Sequence, residues 1–339
     1  MGFPLALTKK MALYMLGKKL RGEKRYPLVL MLEPLHACNL TCTGCGRIRE
    51  YAKTIKDKLT LQECLDSADE CGAPIVSICG GEPMIYPEIE ELCAKLMERG
   101  KHIYLCTNGM FIKKKIKGFK PSNKFFFNIH LDGMQKNHDL AVEREGVFEA
   151  AIEGVKIAKA AGFLVCSNTT IYRETDMNEI GELYTYLQTL GVDTFMLSPA
   201  YGYQAVWETN KNGAQEIFLT RDEIKRKFKE AQPILKKFKL GASPVYLEFL
   251  RGERDLDCAA WANPTRNIRG WKGPCYLITD GHYKTYRELV EQTDWSALGR
   301  GKDPRCEHCM VHCGFEPAAA LGHNGKRGDL MKMALWQLT

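Results

Sequence analysis

Three cysteines, Cys38, Cys42 and Cys45, sit close together directly after the first apolar run of the chain, and no other feature restricts its fold so tightly. That run, residues 28–35, reads as a strand, so the cysteines occupy the loop at its C-terminal end. Parallel α/β folds place their active sites at that end of their strands. Three thiolates spaced in this way can wrap one metal cluster. A [4Fe–4S] cube is commonly held by four cysteines, so three with no adjacent fourth leave one iron open to a substrate. A structural zinc would instead close its shell with a fourth ligand, which His36 could supply. Spacing alone leaves both alternatives standing.

The stretch that follows alternates strand and helix. Apolar runs rich in Val, Ile, Phe and Thr predict strands over 75–79, 102–106, 125–131, 163–170 and 193–198. Helices are expected from the capping box Thr60–Glu63, from Pro87, near Gly146, from Asn178 and from the capping box Thr220–Glu223. Such alternation implies a parallel sheet with crossover helices, either doubly wound or a partial barrel. Past residue 240 the alternation stops, and 251–339 is rich in Gly, Pro, Trp, Cys and charge. The expected organisation is a basic apolar segment over 1–25, an α/β domain over 26–236 and a small irregular Cys-rich domain over 237–339.

The other strands run into polar or Gly-rich loops: Gly80-Gly81-Glu82-Pro83, then Thr107-Asn108-Gly109, then His130-Leu131-Asp132-Gly133. Taken singly, each also suits an ordinary turn. Taken together, they would line one mouth with the cysteines. A Gly pair lets backbone approach a ligand closely. Glu82 can hold an ammonium group, and Asp132 can accept from ribose hydroxyls.

These motifs, Cys-x3-Cys-x2-Cys at 38–45 and Gly-Gly-Glu-Pro at 80–83, resemble those of the radical S-adenosylmethionine (SAM) superfamily over roughly residues 28–235. The resemblance implies a partial (β/α)6 barrel and a [4Fe–4S] cluster on Cys38, Cys42 and Cys45 whose open iron chelates SAM. It places Gly80, Gly81 and Glu82 at the methionine end, and makes Asn108, His130, Asp132 and Asn168 candidates for the rest of the cofactor and the substrate.

The chain has fourteen cysteines, a number that in a reducing compartment points to metal or redox chemistry. Cys64, Cys71 and Cys93 lie in helix-like patterns and suit a buried role. Cys306-x2-Cys309-x3-Cys313 again has ligand spacing. Upstream, Cys258-x11-Gly270-x4-Cys275 resembles in part the opening of the annexes that hold auxiliary clusters in some radical SAM enzymes. Cys275, Cys306, Cys309 and Cys313 make four ligands for a second iron–sulfur cluster, and His308 and His312 keep zinc open.

The net charge is +7, and residues 1–25 hold seven Lys and Arg against Glu23 alone. An apolar, basic helix of this kind can rest on an anionic membrane surface or pack on the domain. The remainder is nearly neutral, which argues against nucleic acid. With no apolar run long enough to span a bilayer and no clean signal pattern, the expected location is the cytoplasm or the inner membrane surface.

Asn263-Pro-Thr-Arg266, Gly270-Trp271, Pro274-Cys275-Tyr276 and the 306–313 cysteines, with Cys106-Thr-Asn-Gly, resemble the HpnH family of hopanoid-biosynthesis radical SAM proteins, the adenosylhopane synthases. That resemblance implies addition of the 5′-deoxyadenosyl radical to the exocyclic alkene of a hopene, a triterpene drawn from a membrane. It also implies an external electron donor of flavodoxin or ferredoxin type. Cys106, at the end of the third strand, is then the candidate hydrogen-atom donor that quenches the product radical. Phe125 to Phe127, Met196, Tyr201, Tyr203 and Trp207 are candidates to line an apolar cavity or to fill a core. Hydrogen abstraction from another lipid or a peptide, and a non-enzymatic iron–sulfur sensor, are the rival readings.

Overall fold

The computed structural model describes residues 5–209, 214–322, 325–326 and 328–338. Six strands, β1 (Val29–Leu32), β2 (Ile75–Ile78), β3 (His102–Thr107), β4 (Phe125–His130), β5 (Leu164–Ile171) and β6 (Thr194–Pro199), pair in parallel in chain order. This is the parallel core of the expected partial barrel. Three short strands extend the same sheet beyond β1. β7 (Thr265–Asn267) joins β1 in parallel, and β8 (Gly270–Pro274) and β9 (Thr279–Tyr283) follow antiparallel. The order across the nine strands is β6-β5-β4-β3-β2-β1-β7-β8-β9.

Helix α1 (Leu5–Leu20) precedes the sheet, and α2 (Leu61–Cys71), α3 (Ile89–Glu98), α4 (Val147–Ala160) and α5 (Met177–Thr189) are crossovers. The Thr60 and Glu63 side chains cap α2 reciprocally, and Thr220 and Glu223 do the same for α6 (Arg221–Glu230). Two starts differ from expectation. Helix α3 begins at Ile89 rather than Pro87, and α5 at Met177, because Asp176 is its cap and accepts from the Asn178 amide at 2.8 Å. In the C-terminal region run α7 (Pro244–Leu250), α8 (His312–Leu321) and α9 (Asp329–Leu338).

Strand periodicity gives the sheet two different faces. Leu30, Leu32, Val76, Ile103, Leu105, Phe125 and Phe127 point outward into the main core beneath the helices. Phe127 meets Phe125 edge-on at 4.9 Å and Phe163 at 5.1 Å. The alternate residues Tyr104, Phe126 and Cys166 face inward and form a separate cluster with the half-buried Ile75, Leu164 and Met196. Phe125 and Phe127 are therefore core residues and not cavity lining, whereas Phe126 and Met196 belong to the inner face. The side chain of Trp207 lies outside the described residues.

Helix α1 crosses the base of the sheet, opposite the cysteine loop. Lys10 donates to the Gly100 carbonyl just before β3, and Tyr14 to the Pro27 carbonyl just before β1, at 2.8 Å. Replacing Phe127 with Ala is expected to cost about 3–5 kcal/mol, because a closed aromatic cluster cannot collapse around the gap. Phe126→Ala should cost less, since its neighbours Ile75, Leu164 and Met196 are only half-buried and can shift toward the gap. Denaturant unfolding of the two variants checks this.

Candidate active site

Past β1 the chain continues through Glu33 to Ala37 alongside the loop after β2. The amides of Cys79, Gly81 and Glu82 donate to the carbonyls of Leu32, Leu35 and Ala37 at 2.8, 3.1 and 2.9 Å. A side chain at Gly80, whose φ is +111°, would collide with the Leu35 carbonyl, and one at Gly81 with the Ala37 carbonyl. The Gly pair thus lets two loops run backbone to backbone, which delivers Cys38 to the end of the sheet. Cys45 closes a turn onto the Cys42 carbonyl at 3.0 Å, and the Leu40 amide points at Cys38 Sγ at 3.4 Å. From the other side, Thr41 and Thr43 donate to the Glu143 carboxylate at 3.3 and 2.9 Å.

Glu82 is a clamp. It is only 2% exposed, and its carboxylate accepts from the amides of Met84 and Asn108 and from the Thr107 hydroxyl, at 3.0, 2.8 and 2.7 Å. Burial nonetheless raises its pKa to about 6. Asn108 in turn donates to the Asn39 side chain at 2.9 Å, fastening the loop after β3 to the cysteine loop. After β4, His130 Nε2 lies 2.8 Å from Asp132, whose other oxygen accepts from the Thr170 amide at 2.7 Å. Burial disfavours the imidazolium of His130, but the Asp132 carboxylate outweighs it and raises the pKa. Asn168 on β5 is in register with His130. Ser167, its neighbour, is buried on the opposite face, as alternation requires.

Cys106 lies on the inner face of β3, beside Asn128 of β4. Its sulfur is 3.3 Å from the Ser77 hydroxyl and 3.3 Å from Asn128 Nδ2, which donates to it. Burial raises its pKa, so the group is held as a thiol.

The C-terminal cysteines converge as well, and they are five rather than four. The thiols of Cys258, Cys275, Cys306, Cys309 and Cys313 act electrostatically on one another. Burial first, and Cys275 among its neighbours, push Cys306 up to about 11 and Cys313 up to about 12. Cys258 reaches the group because Gly314 leaves room for its sulfur at 2.5 Å from where a Cβ would stand. Its distance in sequence hid this, although its spacing from Gly270 and Cys275 was the available signal. His308 is exposed, and His312 packs edge-on against Tyr246 at 5.5 Å. Among the described residues, no three His, Cys, Asp or Glu side chains close on the point of a single metal ion.

Residues 32–187 match the profile of the radical SAM superfamily, and residues 195–333 match a domain of unknown function, DUF3463. Residues 32–187 therefore carry a radical SAM domain. It is 29% identical to the GTP 3′,8-cyclase of Campylobacter fetus over 310 residues, covering 88% of this chain and 93% of that protein. It is 25% identical to the subtilosin biosynthesis protein AlbA of Bacillus subtilis over 309 residues, covering 85% of this chain and 66% of that one. The matched region spans about half of GTP 3′,8-cyclase 1 of Mycobacterium tuberculosis, 49% of its length at 27% identity over 48% of this chain. Among solved structures, Streptococcus suis SuiB bound to its precursor peptide SuiA aligns with a TM-score of 0.64 at 16% identity, over 93% of this chain and 75% of that one. None of these relatives is an adenosylhopane synthase.

A [4Fe–4S] cluster and SAM are the cofactors of the radical SAM superfamily, and the donor set here fits the cluster. Burial pushes the Cys38 thiol up to about 11, with Glu82 and Cys45 adding to it, and burial with Cys45 and Cys38 raises Cys42. Thiolates held this close require a compensating cation, which a group of irons supplies.

Beneath the radical SAM loop lies a buried ionic network that the sequence did not single out. Arg47, two residues past Cys45 and 1% exposed, pairs with Glu33 at 2.6 Å and lies over the rings of Tyr276 and Tyr203 at 4.1 and 4.9 Å. Lys272 of β8 pairs with Glu50 at 3.1 Å, and burial together with Arg47 lowers its pKa to about 8. Only the placement of Glu33 and Arg47 on either side of the cysteines could have flagged them.

Arg47→Met is expected to cost roughly 3–5 kcal/mol, since it leaves Glu33 buried with only His36, at 3.5 Å, beside it. Adding Glu33→Gln should restore much of that in denaturant unfolding. For Glu82 the sign follows from its raised pKa. The proton is held more tightly in the folded state, so this contribution is complete below pH 4.5 and lost as pH rises through about 6. Wild type should lose about 2 kcal/mol across that window relative to Glu82→Gln, as read by unfolding at each pH.

Proposed function

We propose that this chain is a radical SAM enzyme that joins the 5′-deoxyadenosyl group of SAM to the exocyclic alkene of a hopene, giving adenosylhopane. The observation that carries the reading is the setting of Cys106. A protonated thiol stands on the inner face with Ser77 and Asn128, and the apolar Ile75, Tyr104, Phe126 and Leu164 lie on the base side of it. That arrangement suits a hydrocarbon body with a radical centre needing a hydrogen atom.

Cys38, Cys42 and Cys45 would hold a [4Fe–4S] cluster, and in its reduced form it would supply the electron for cleaving SAM to methionine and a 5′-deoxyadenosyl radical. Glu82 uses three of its four acceptor positions within the chain, and the fourth is free for the methionine ammonium. A neighbouring cation would also favour its ionised form. His130, oriented by Asp132, and Asn168 face the ribose and the substrate, while Asn108 fixes the cysteine loop. Addition to the alkene leaves a tertiary carbon radical, and Cys106 gives it the hydrogen atom of its S–H bond. The resulting thiyl returns to thiol by gaining one electron from a flavodoxin- or ferredoxin-type donor and one proton. Cys275, Cys306, Cys309 and Cys313 would hold a second cluster, with Cys258 a fifth thiol at the same place.

A second reading, hydrogen abstraction from a peptide or another lipid, is favoured by the likeness to AlbA and to SuiB with its precursor peptide. Anaerobic incubation with SAM, dithionite and diploptene, followed by mass spectrometry, separates the two. Adenosylhopane is the expected product, and free 5′-deoxyadenosine without an adduct would overturn the proposal. No SAM cleavage at all would point to an iron–sulfur sensor. Cys106→Ala should lower saturated adenosylhopane about 100-fold, equivalent to ~3 kcal/mol on the barrier, while SAM cleavage persists. An unchanged product rate would remove Cys106 from the mechanism.

A further inference from the structure

Helix α1 is apolar almost all round, and the structure divides that surface into two uses. Leu7, Met11, Tyr14 and Met15 turn inward, the last three against Tyr26, Leu28 and Ala318. On the opposite side Leu13, Leu16 and Leu20 are 71%, 54% and 79% exposed. Their spacing of three and four residues puts them in one stripe. Exposed leucines in a continuous stripe mark an interaction surface.

A second helix lies beside it. The Thr8 hydroxyl of α1 donates to the Gln337 side chain of α9 at 3.0 Å, and α9 exposes Met331 and Leu335, 70% and 56%. Helix α9 is anchored at its other end, where Arg254 holds Asp329 at 2.7 Å. The charge of the molecule is concentrated in the same two segments. Residues 1–25 carry seven bases against one acid, and residues 322–339 carry Lys326, Arg327 and Lys332 against Asp329. Those excesses of six and two exceed the whole chain's +7, so everything between them sums to −1.

We propose that α1 and α9 together form a docking face for an anionic lipid bilayer, with Leu13, Leu16, Leu20, Met331 and Leu335 entering the headgroup region. The exposed Lys9, Lys19 and Lys24 would meet the lipid phosphates. Charge complementarity selects this occupant: a basic surface with an apolar stripe matches acidic headgroups over acyl chains. The face lies at the base of the sheet, and the apolar end of the inner face is the end nearest to it. The proposal deepens the reading of a membrane-derived alkene and rests on it for its purpose, but the surface can be tested without any turnover of that alkene.

The test is co-sedimentation of the full chain with phosphatidylcholine vesicles, with and without phosphatidylglycerol. Binding is expected with the anionic vesicles and much weaker with the neutral ones. Leu13→Gln/Leu16→Gln/Leu20→Gln should lower the partition coefficient about 100-fold or more, given the apolar area removed. Met331→Gln/Leu335→Gln should lower it about tenfold. Lys9→Gln/Lys19→Gln/Lys24→Gln should abolish the preference for anionic lipid. SAM cleavage with dithionite in solution should be unchanged in all three variants, which shows that they fold. Loss of SAM cleavage in the wild type would strike the radical reading and leave this one intact. Wild-type binding to neither vesicle, or binding that the leucine variant keeps, would overturn the docking face. Binding that the α9 variant keeps in full would overturn the part assigned to α9. Self-association in ultracentrifugation that disappears in the leucine variant would reassign the face to a second copy and overturn the proposal.

Discussion

The ion pair between Arg47 and Glu33 is the constraint on which the site is assembled. Glu33 extends β1, Arg47 follows the cysteine loop, and the rings over the guanidinium come from the chain after β6 and from the segment after β8. One buried side chain therefore ties the loop after β1 to the strands added beside it. A buried pair of this kind contributes little net stability, because desolvation consumes most of the Coulombic gain. Its value is in specifying a single arrangement. Arg47 and Lys272 also favour the thiolate of Cys313, so the same cations act on the second cysteine group.

Much of the fold was legible because strand and helix periods are imposed by the core. The six parallel strands follow apolar runs whose outward residues had to be buried, and the capping boxes at Thr60 and Thr220 mark helix starts by local chemistry alone. Strands β7 to β9 were not legible. Three to five residues long and containing Gly, Asn and His, they owe their pairing to the free edge of β1 and not to their own pattern. Helix α1 misled in a different way. Its two apolar faces cancel in any measure of amphipathicity, although one is packed and the other bare.

At the candidate site, residue type made the available chemistry legible, as with the cysteines and Glu82. What the residues touch was not. The glycines at 80 and 81 promised close approach to a ligand, and the structure gives them close approach to the backbone of the cysteine loop. Asn108 promised a ligand contact, and in the structure its side chain donates to Asn39, a link the sequence did not suggest. Cys258 was placed in the annex pattern but outside the four expected ligands, and Gly314 brings it among the other thiols. Each of these depends on two segments far apart in sequence meeting, which no local pattern encodes.

Desolvation acts on the thiols of Cys38, Cys42 and Cys106, with opposite consequences. At Cys38 and Cys42 it disfavours the thiolate that an iron requires, so metal binding must supply the compensating charge. At Cys106 it preserves the proton, which a hydrogen-atom donor cannot do without. The inner face grades in the same direction, from carboxylates and imidazole at the mouth, through Ser77 and Asn128, to aromatic and aliphatic side chains at the base. The charged cofactor and the uncharged hydrocarbon of the proposed reaction would make opposite demands, and this gradient suits both. Cys106 stands where the two regions meet. In the proposed reaction that is where the new carbon–carbon bond would join a polar nucleoside to an apolar ring system.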